Sequence, residues 1–425
     1  EEKFIIEVKK YLYSPVKLNI LTSVINTELS SHSAHLIKQV SSLVDPVISI
    51  IDSIGTIKSI CLSYDGNYIA ASSYDSGYAG KITIWDANDK RNLRLVSSIS
   101  DGLVYSLCFS PDGKYLAASN DRNVIRIFNV ENKNNPQIVS TLIGNGLINI
   151  LSVQFSPDGN YIASGSSNLS GAQTITIWDV QNKKKTELIA ILTGNNGIVN
   201  SVSFSPDGNY IVAGAYSHIP TEPRLKIFDF RDKKNPKIMS SSLDFNISCV
   251  SFSPDGNYIA SSSIRKNNSK ITIWDAQDKK NLRDIYTFPS SPSRDRFMLS
   301  EFNTVNFSQK YNYMVSSSQI SKNEGSILIW DVKDKKNIKK IESLTSDPAK
   351  SALFSSDANY IVSFNDSKIT LWMFVPLFLY KNFFENLVNK KTVIKQGEPA
   401  EPTGVIQYLL LKKIINYRSE LKKSN

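Results

Sequence analysis

One short unit is repeated seven times along the 425 residues of this chain, and its spacing restricts the fold more than any other feature. Each unit has an apolar run, a turn related to Ser-Pro-Asp-Gly, a stretch related to Tyr-Ile-Ala-Ser and, after a variable segment, a run related to Ile-Thr-Ile-Trp-Asp. The fourth residues of the turns are 46 to 55 residues apart, at positions 66, 113, 159, 208, 256, 311 and 358. This period fits four short strands and their turns, so we expect a repeat protein.

The apolar runs have the composition of β-strands. Val, Ile, Thr, Phe and Trp dominate them, and Gly, Asn, Asp and Pro bound them at both ends. Pro-Asp-Gly between two runs predicts a tight hairpin, because proline presets φ and glycine accepts a positive φ. The runs are apolar on both faces, which indicates small sheets that are each covered by two neighbours. The sequence therefore predicts an all-β fold of seven four-stranded antiparallel sheets.

The unit FSPDGNYIAS followed by ITIWD resembles the WD40 repeat over residues 45–373. The Trp-Asp pair of that family, or a related pair, stands at Trp85-Asp86, Phe128-Asn129, Trp178-Asp179, Phe228-Asp229, Trp274-Asp275, Trp330-Asp331 and Trp372-Met373. The resemblance implies a seven-bladed β-propeller whose tryptophan rings wedge between blades. It also implies a non-enzymatic scaffold or sensor module that holds protein or peptide partners, often within a larger chain or assembly, and we expect a monomeric propeller.

The Gly-His dipeptide of the family is missing from every repeat, and asparagine stands for histidine at two matching places, Gly144-Asn145 and Gly194-Asn195. In the family this histidine joins a hydrogen-bond network with an aspartate from the turn before the Trp strand. That aspartate is recognisable here only at Asp121 and Asp366. We therefore expect the buried polar network to be incomplete, so that stability rests more on apolar packing between blades.

A fourth strand, such as residues 136–140, lies between each Trp strand and the next unit, and the same pattern at residues 45–50 precedes the first unit. No equivalent follows Trp372. We therefore predict that residues 46–52 supply the outer strand of the last blade, which joins the first and last repeats and removes an exposed sheet edge.

Residues 1–44 and 374–425 do not repeat and are expected to form short, mainly helical extensions. Residues 374–425 hold nine basic and four acidic side chains, and residues 405–421 have the apolar spacing of an amphipathic helix. That helix either docks on its own protein or attaches to a partner or a membrane surface. Because the chain begins at Glu1 and not at Met, we expect its start to have been processed.

The sequence offers little that could support catalysis. The three histidines are His32, His35 and His218, and neither a phosphate-binding loop nor a nucleophile elbow is present. We therefore expect no enzyme activity, no cofactor and no metal. Three cysteines without CxxC spacing indicate small apolar residues in a reducing compartment, which favours the cytoplasm.

The loops between the second and third strands vary between repeats, as do the links from the outer strand to the next unit, which include residues 289–301. Variable loops on a rigid scaffold are typical of partner recognition, although unconstrained drift would give the same pattern. Aromatic and arginine side chains are the favoured anchors. The candidate contacts are Tyr74, Tyr78, Tyr216, His218, Arg294, Arg296 and Phe297.

An alternative function is recognition of an anionic surface, either membrane lipid or nucleic acid. The formal net charge is +10, and the turns that follow the Trp strands are rich in lysine. The acidic residues in those turns largely neutralise them, with 14 basic and 10 acidic side chains in six turns. The sequence thus favours a solvated, self-paired rim and leaves anion binding by the rim and the basic C-terminal tail as the second hypothesis.

Overall fold

A computed structural model describes the chain over residues 44–51, 55–90, 92–144, 149–166, 172–264, 269–289, 301–319, 325–335, 337–346 and 349–374. The secondary structure within these ranges consists of strands joined by turns and bends. The expected helical extensions, apart from residues 44 and 374, lie outside the described residues.

The described part of the chain contains 28 strands. Their bounds are β1 Val44–Ile51, β2 Thr56–Leu62, β3 Tyr68–Tyr74, β4 Gly80–Asp86, β5 Arg94–Asp101, β6 Val104–Phe109, β7 Tyr115–Asn120, β8 Val124–Asn129, β9 Gln137–Ile143, β10 Ile150–Phe155, β11 Tyr161–Ser166, β12 Ala172–Asp179, β13 Glu187–Asn196, β14 Ile198–Phe204, β15 Tyr210–Tyr216, β16 Leu225–Asp229, β17 Lys237–Ser242, β18 Asn246–Phe252, β19 Tyr258–Ile264, β20 Lys270–Asp275, β21 Arg283–Pro289, β22 Glu301–Phe307, β23 Tyr313–Gln319, β24 Gly325–Asp331, β25 Lys339–Ser346, β26 Ser351–Phe354, β27 Tyr360–Phe364 and β28 Lys368–Phe374.

The strands form seven four-stranded sheets, which are the blades of a propeller. Blades 1 to 6 each take four consecutive strands, from β2–β5 in blade 1 to β22–β25 in blade 6. The first strand of each blade is the innermost one and contacts the first strand of the next blade, and β26 contacts β2 to complete the ring. The predicted all-β, seven-bladed architecture is confirmed.

Blade 7 is built from strands that are far apart in sequence. Its order is β1, β28, β27 and β26, so β1 is the outer strand beside β28. Residues 46–51 of the segment expected to close the ring lie in β1. At the same junction, the Tyr360 hydroxyl of blade 7 donates a hydrogen bond of 2.5 Å to the carbonyl oxygen of Gly66 in blade 1. The last repeat is thus completed by backbone that precedes the first repeat.

In six of the seven blades, the hairpin turns between first and second strands share one hydrogen-bond pattern, whereas the turn of blade 6 has Lys310 in place of the aspartate. At residues 110–113, the Ser110 hydroxyl donates to the Asp112 carboxylate at 2.5 Å and accepts the backbone N–H of Tyr115 at 2.9 Å. Gly113 has a φ of 67°, in the left-handed region that side chains with a Cβ disfavour. In blade 7 Ala358 takes the glycine position with a φ of 54°. The repeated Ser-Pro-Asp-Gly letters therefore encode a turn.

The aromatic ring near the end of the third strand packs against the preceding blade in blades 1 to 6. Trp274 of blade 5, for example, lies in one apolar cluster with Val212 and Ile227 of blade 4. Its indole N–H donates to the Ser261 hydroxyl at 2.9 Å. The equivalent side chains are also buried, namely Trp85, Phe128, Trp178, Phe228, Trp330 and Trp372. These rings fill the space between sheets, where burial of apolar area stabilises the ring.

Small side chains on the innermost strands connect one blade to the next. The Ser59 hydroxyl of blade 1 accepts the backbone N–H of Leu107 in blade 2 at 3.1 Å. The same hydrogen bond, in which a hydroxyl oxygen accepts a backbone N–H of the following blade, recurs at Ser106, Ser152, Ser201 and Thr304. In blade 5 the residue at this position is Cys249, whose thiol donates to the Val305 carbonyl at 3.6 Å. Neighbouring sheets are therefore held in register around the channel.

Candidate functional site

The antiparallel strand order places the connections of the blades on two opposite faces. The loops between second and third strands, and the links from each outer strand to the next blade, lie on one face, which we call the variable face. The hairpins between first and second strands and the turns between third and fourth strands lie on the other, which we call the uniform face.

A cleft between blades 7 and 1 opens on the variable face and holds two of the candidate residues. Its volume is about 500 Å³, and its lining comprises Gly55, Thr56, Tyr74, Asp75, Ser76, Tyr78, Asp366 and Ser367. The rings of Tyr74 and Tyr78 are stacked, with centroids 5.8 Å apart and planes 4° from parallel. Lys58 on β2 places its Nζ 5.3 Å from the centroid of the Tyr74 ring. The cleft thus presents aromatic faces next to carboxylates.

The turn that carries Tyr78 is fixed by Asp75. The Oδ1 atom of Asp75 accepts the backbone N–H groups of Gly77 and Ala79, each at 2.9 Å, and the N–H of Tyr78 donates to the Asp75 carbonyl at 3.0 Å. Tyr78 has a φ of 60°, which is unfavourable for a bulky residue, and its side chain is 71% exposed. Surrounding hydrogen bonds therefore hold an aromatic ring in solvent at the cost of backbone strain.

The loop between the second and third strands of blade 4 places Tyr216 and His218 together. The Tyr216 hydroxyl lies 3.1 Å from Nδ1 of His218, and the two rings meet edge to face at 4.7 Å. The guanidinium of Arg224 fixes this loop through hydrogen bonds to the Asn246 side chain and to the carbonyl oxygens of Ser217, Ile219, Glu222 and Asp244. The loop is therefore a rigid part of the variable face.

The variable face also exposes three apolar side chains that sequence analysis missed. Ile143 is 73% exposed, Leu243 is 62% exposed and Ile219 is 37% exposed. Ile143 ends β9 and Leu243 follows β17, so in the sequence each reads as one more apolar residue of a strand. The proline-flanked, variable segment around Ile219 is the one signal that could have found such a residue. The candidates Arg294, Arg296 and Phe297 lie outside the described residues.

Asp121 and Asp366, the two aspartates expected in a buried polar network, lie at the surface. Asp366 forms an ion pair with Lys350 and has 64% of its side chain exposed. The backbone N–H of Asp121 donates to the Leu103 carbonyl at 3.0 Å. Asp121 itself is an exposed residue of the loop between β7 and β8. Neither carboxylate is therefore placed to stiffen the interior of a blade.

Two ion pairs with buried carboxylates join neighbouring blades. Asp101 pairs with Arg126, and Asp244 pairs with Lys270 at 2.7 Å, with both carboxylates 1% exposed. Each aspartate ends an outer strand or follows it, and each cation lies on the third strand of the next blade. The Oδ2 atom of both aspartates has no hydrogen-bond partner in the part of the chain that the structure describes. A basic residue inside an apolar strand was the signal that sequence analysis missed.

Six lysines on the uniform face are engaged in contacts between blades. Each amine lies over the ring of a tyrosine in the preceding blade, with Nζ 4.8 to 5.4 Å from the centroid. Lys183, for example, caps Tyr115 and donates to the carbonyl oxygens of Gly159 and Val180 at 2.9 and 2.6 Å. Burial lowers the pKa of all six amines, although nearby aspartates oppose the shift; they are Lys90, Lys133, Lys183, Lys233, Lys279 and Lys335.

The aspartates of the hairpin turns balance these lysines. Burial raises the pKa of Asp158, but hydrogen bonds from Ser156 and Asn160 and the charge of Lys233 in the next blade lower it more, so the net shift is downward. The same arrangement lowers the pKa of Asp65, Asp207 and Asp255. Acidic and basic side chains of neighbouring blades therefore neutralise one another on the uniform face.

Replacing Lys183 with alanine is expected to lower the free energy of unfolding by about 1 to 2 kcal/mol, because a cation over an aromatic ring and hydrogen bonds to carbonyls are lost. The matched control is Lys184→Ala in the same turn, since the Lys184 side chain is exposed and its loss should cost under about 0.5 kcal/mol. Urea unfolding of both variants measures the difference. Equal midpoints would contradict a structural role for Lys183.

The cysteines are free thiols, and burial raises the pKa of each, that of Cys108 to about 11. In the described ranges, no group of three or more His, Cys, Asp or Glu side chains is placed to hold a metal ion. No helix in those ranges has the length and apolar character needed to cross a membrane.

Comparison with known proteins identifies the repeats and the fold. The sequence profile described as "WD domain, G-beta repeat" matches residues 47–86, 93–129, 136–179, 186–219 and 237–275. No curated protein matches the chain. Among solved structures, a chain in the crystal structure of a mitotic checkpoint complex is similar with a TM-score of 0.61 and 17% identity, over 78% of this chain and 96% of that one. At this identity the similarity shows the fold alone.

Proposed function

Because this chain belongs to the WD40-repeat β-propeller family, whose propellers generally serve as protein-interaction scaffolds, we propose that it binds protein partners through the variable face and catalyses no reaction. The observation that carries the proposal is the set of exposed apolar and aromatic side chains on this face. Ile143, Leu243 and Tyr78 are each more than 60% exposed there, on connections anchored by rigid strands. Exposed aromatic and aliphatic side chains on a rigid support are typical of interface anchors.

The lysines of the uniform face argue against the anion-binding alternative. Its six inter-blade lysines are committed to tyrosine rings and backbone carbonyls, and burial lowers the pKa of their amines. A surface that binds phosphate groups needs several cations free to pair with them. Of the exposed lysines in the same turns, Lys234 stands two residues after Asp232, whose carboxylate accepts the Lys234 backbone N–H.

Affinity capture from the organism of origin tests the proposal, with bound proteins identified by mass spectrometry. The wild-type chain is compared with the triple variant Ile143→Ala, Ile219→Ala, Leu243→Ala, which leaves the cleft of blades 7 and 1 intact. Recovery of the partner proteins should fall at least about tenfold in the variant, since loss of an anchor costs about 1 kcal/mol or more. Thermal unfolding should be nearly unchanged, because all three side chains are exposed.

The matched control on the opposite face is the double variant Lys184→Ala, Lys234→Ala. It should recover the same proteins as the wild type and should not alter binding to vesicles that contain phosphatidylserine. The proposal fails if the lysine variant loses the partners while the triple variant keeps them. It also fails if the wild-type chain binds the vesicles with a steep dependence on salt and recovers no protein.

A further inference from the structure

The cleft between blades 7 and 1 has a lining of aromatic rings, hydroxyl groups and two carboxylates, with no basic side chain among its lining residues. We propose that this cleft binds a basic side chain, arginine in preference to lysine, presented by an extended segment of a protein partner. The inference rests on the proposed function, because it gives the variable face a partner of defined chemistry. A cleft of about 500 Å³ is large enough for one such side chain and its flanking backbone.

Both kinds of group in this cleft already contact a cation from the chain itself. The amine of Lys58 lies over the Tyr74 ring, and the amine of Lys350 pairs with the Asp366 carboxylate. Neither lysine lines the cleft, and each is engaged by one of its groups. These contacts show that rings and carboxylates at this position suit ammonium groups. The Tyr78 ring and the Asp75 carboxylate remain for a ligand.

Asp75 and Tyr78 are placed for this role before any ligand arrives. Two backbone N–H groups hold Oδ1 of Asp75, while Oδ2 receives no hydrogen bond within the residues that the structure describes. Tyr78 is strained, strongly exposed and stacked on Tyr74. The strained turn thus keeps one ring and one carboxylate oxygen in position, which lowers the entropic cost of binding.

Arginine fits these two groups better than lysine does. A guanidinium is planar, so it stacks on the Tyr78 ring while its edge donates hydrogen bonds to the Asp75 carboxylate. An ammonium group makes the same two contacts as a point charge, with less stacked area. We therefore expect the order arginine, lysine and then norleucine, with glutamate excluded by the carboxylates.

Ligand-observed saturation-transfer NMR with the full chain tests this order. The probes are the N-acetyl methylamides of arginine, lysine, norleucine and glutamate, which differ only in the side chain. A single anchored side chain should give a dissociation constant on the order of 1 mM for the arginine probe. The norleucine and glutamate probes should bind at least about tenfold more weakly, because they lack the positive charge.

Two variants locate the binding in the cleft. Tyr78→Ala should weaken the arginine probe about fivefold through loss of the ring. Asp75→Asn should have a similar effect and should reduce the dependence on salt, while its amide oxygen still accepts the N–H groups that hold the turn. The matched controls are Tyr64→Ala, whose ring is 67% exposed on the uniform face, and Asp284→Asn on an outer strand. Both controls should bind the arginine probe as the wild type does.

Three results would overturn the assignment. They are failure of the wild type to bind the arginine probe, glutamate binding as tight as arginine, and unchanged arginine binding in Tyr78→Ala and Asp75→Asn. If any of these is found while the Ile143, Ile219 and Leu243 variant still loses its protein partners, the assignment of the cleft fails and the proposed function stands. If the probes behave as expected but that variant keeps its partners, the assignment of the cleft stands and the proposed role of the exposed apolar residues of the variable face fails.

Discussion

A chain that begins at residue 53 instead of residue 44 is expected to melt at least about 10 °C below the longer chain. Removing β1 deletes the eight-residue outer strand of blade 7 and leaves β28 as an unpaired edge. Backbone hydrogen bonds contribute about 1 kcal/mol each, so loss of a full strand costs on the order of 5 kcal/mol. The unpaired edge also gives other chains a strand to pair with, so the shorter chain should aggregate on heating.

Calorimetry of the two truncations, which differ only in residues 44–52, measures this effect. A synthetic peptide of residues 44–52 added to the shorter chain should restore part of the lost stability, because the edge of β28 is then occupied. Identical melting temperatures for the two truncations would show that the ring closes without β1. A lower melting temperature that the peptide does not raise would point to a role of these residues other than strand pairing.

Trp274→Ala is expected to lower the free energy of unfolding by about 4 kcal/mol. The indole fills the space between blades 4 and 5 and donates to Ser261, so its removal leaves a cavity and an unpaired hydroxyl. The cavity should persist, since the two sheets on either side are close-packed and cannot move together to fill it. Urea unfolding followed by the fluorescence of the remaining tryptophans measures the change.

The matched control is Trp274→Phe, because Phe128 and Phe228 occupy the same register in blades 2 and 4. This variant should lose only about 1 to 2 kcal/mol, as most of the ring area is kept and the hydrogen bond to Ser261 is lost. If phenylalanine costs as much as alanine, the hydrogen bond dominates at this junction. If alanine costs under about 1 kcal/mol, the ring is not needed to join the blades.

The architecture is predictable from the sequence because each part of it repeats. The turn residues stand at nearly even intervals, so seven sheets can be counted from the amino-acid letters alone. The strands follow from the same periodicity, since a short run that is apolar on both faces and bounded by Gly, Asn and Pro is typical of a buried β-strand. The segment that forms β1 is recognisable because it has the pattern of an outer strand without a preceding Trp strand.

The contacts that join different repeats are not predictable in this way. Lys183 meets Tyr115 only because one blade twists against the next, and their wide separation along the sequence gives no sign of the contact. The same is true of Asp244 and Lys270, which belong to different blades. The sequence therefore indicates a solvated rim of lysine turns, whereas one lysine of each of these six turns is structural.

The candidate site is predictable only in part. Tyr74 and Tyr78 are candidates because they are aromatic residues in a variable loop, and the structure places both in one cleft. Asp366 is expected in a different role, in a buried network, and lies in the same cleft at the surface. This meeting of residues 55–78 with residues 366–367 depends on how blade 7 packs against blade 1 once the ring is closed, and no local pattern records that packing.

The six lysine contacts between blades all run the same way around the ring, because each lysine contacts a tyrosine of the preceding blade. Lys90 of blade 1, for example, contacts Tyr360 of blade 7. Blades 1 to 5 therefore each carry both a lysine that contacts the preceding blade and a tyrosine that the next lysine contacts, whereas among the described contacts blade 6 supplies only the lysine and blade 7 only the tyrosine. A duplicated repeat would find a matching partner on each side without any compensating substitution. Duplication of a gene segment of this period is therefore compatible with the lysine contacts between blades.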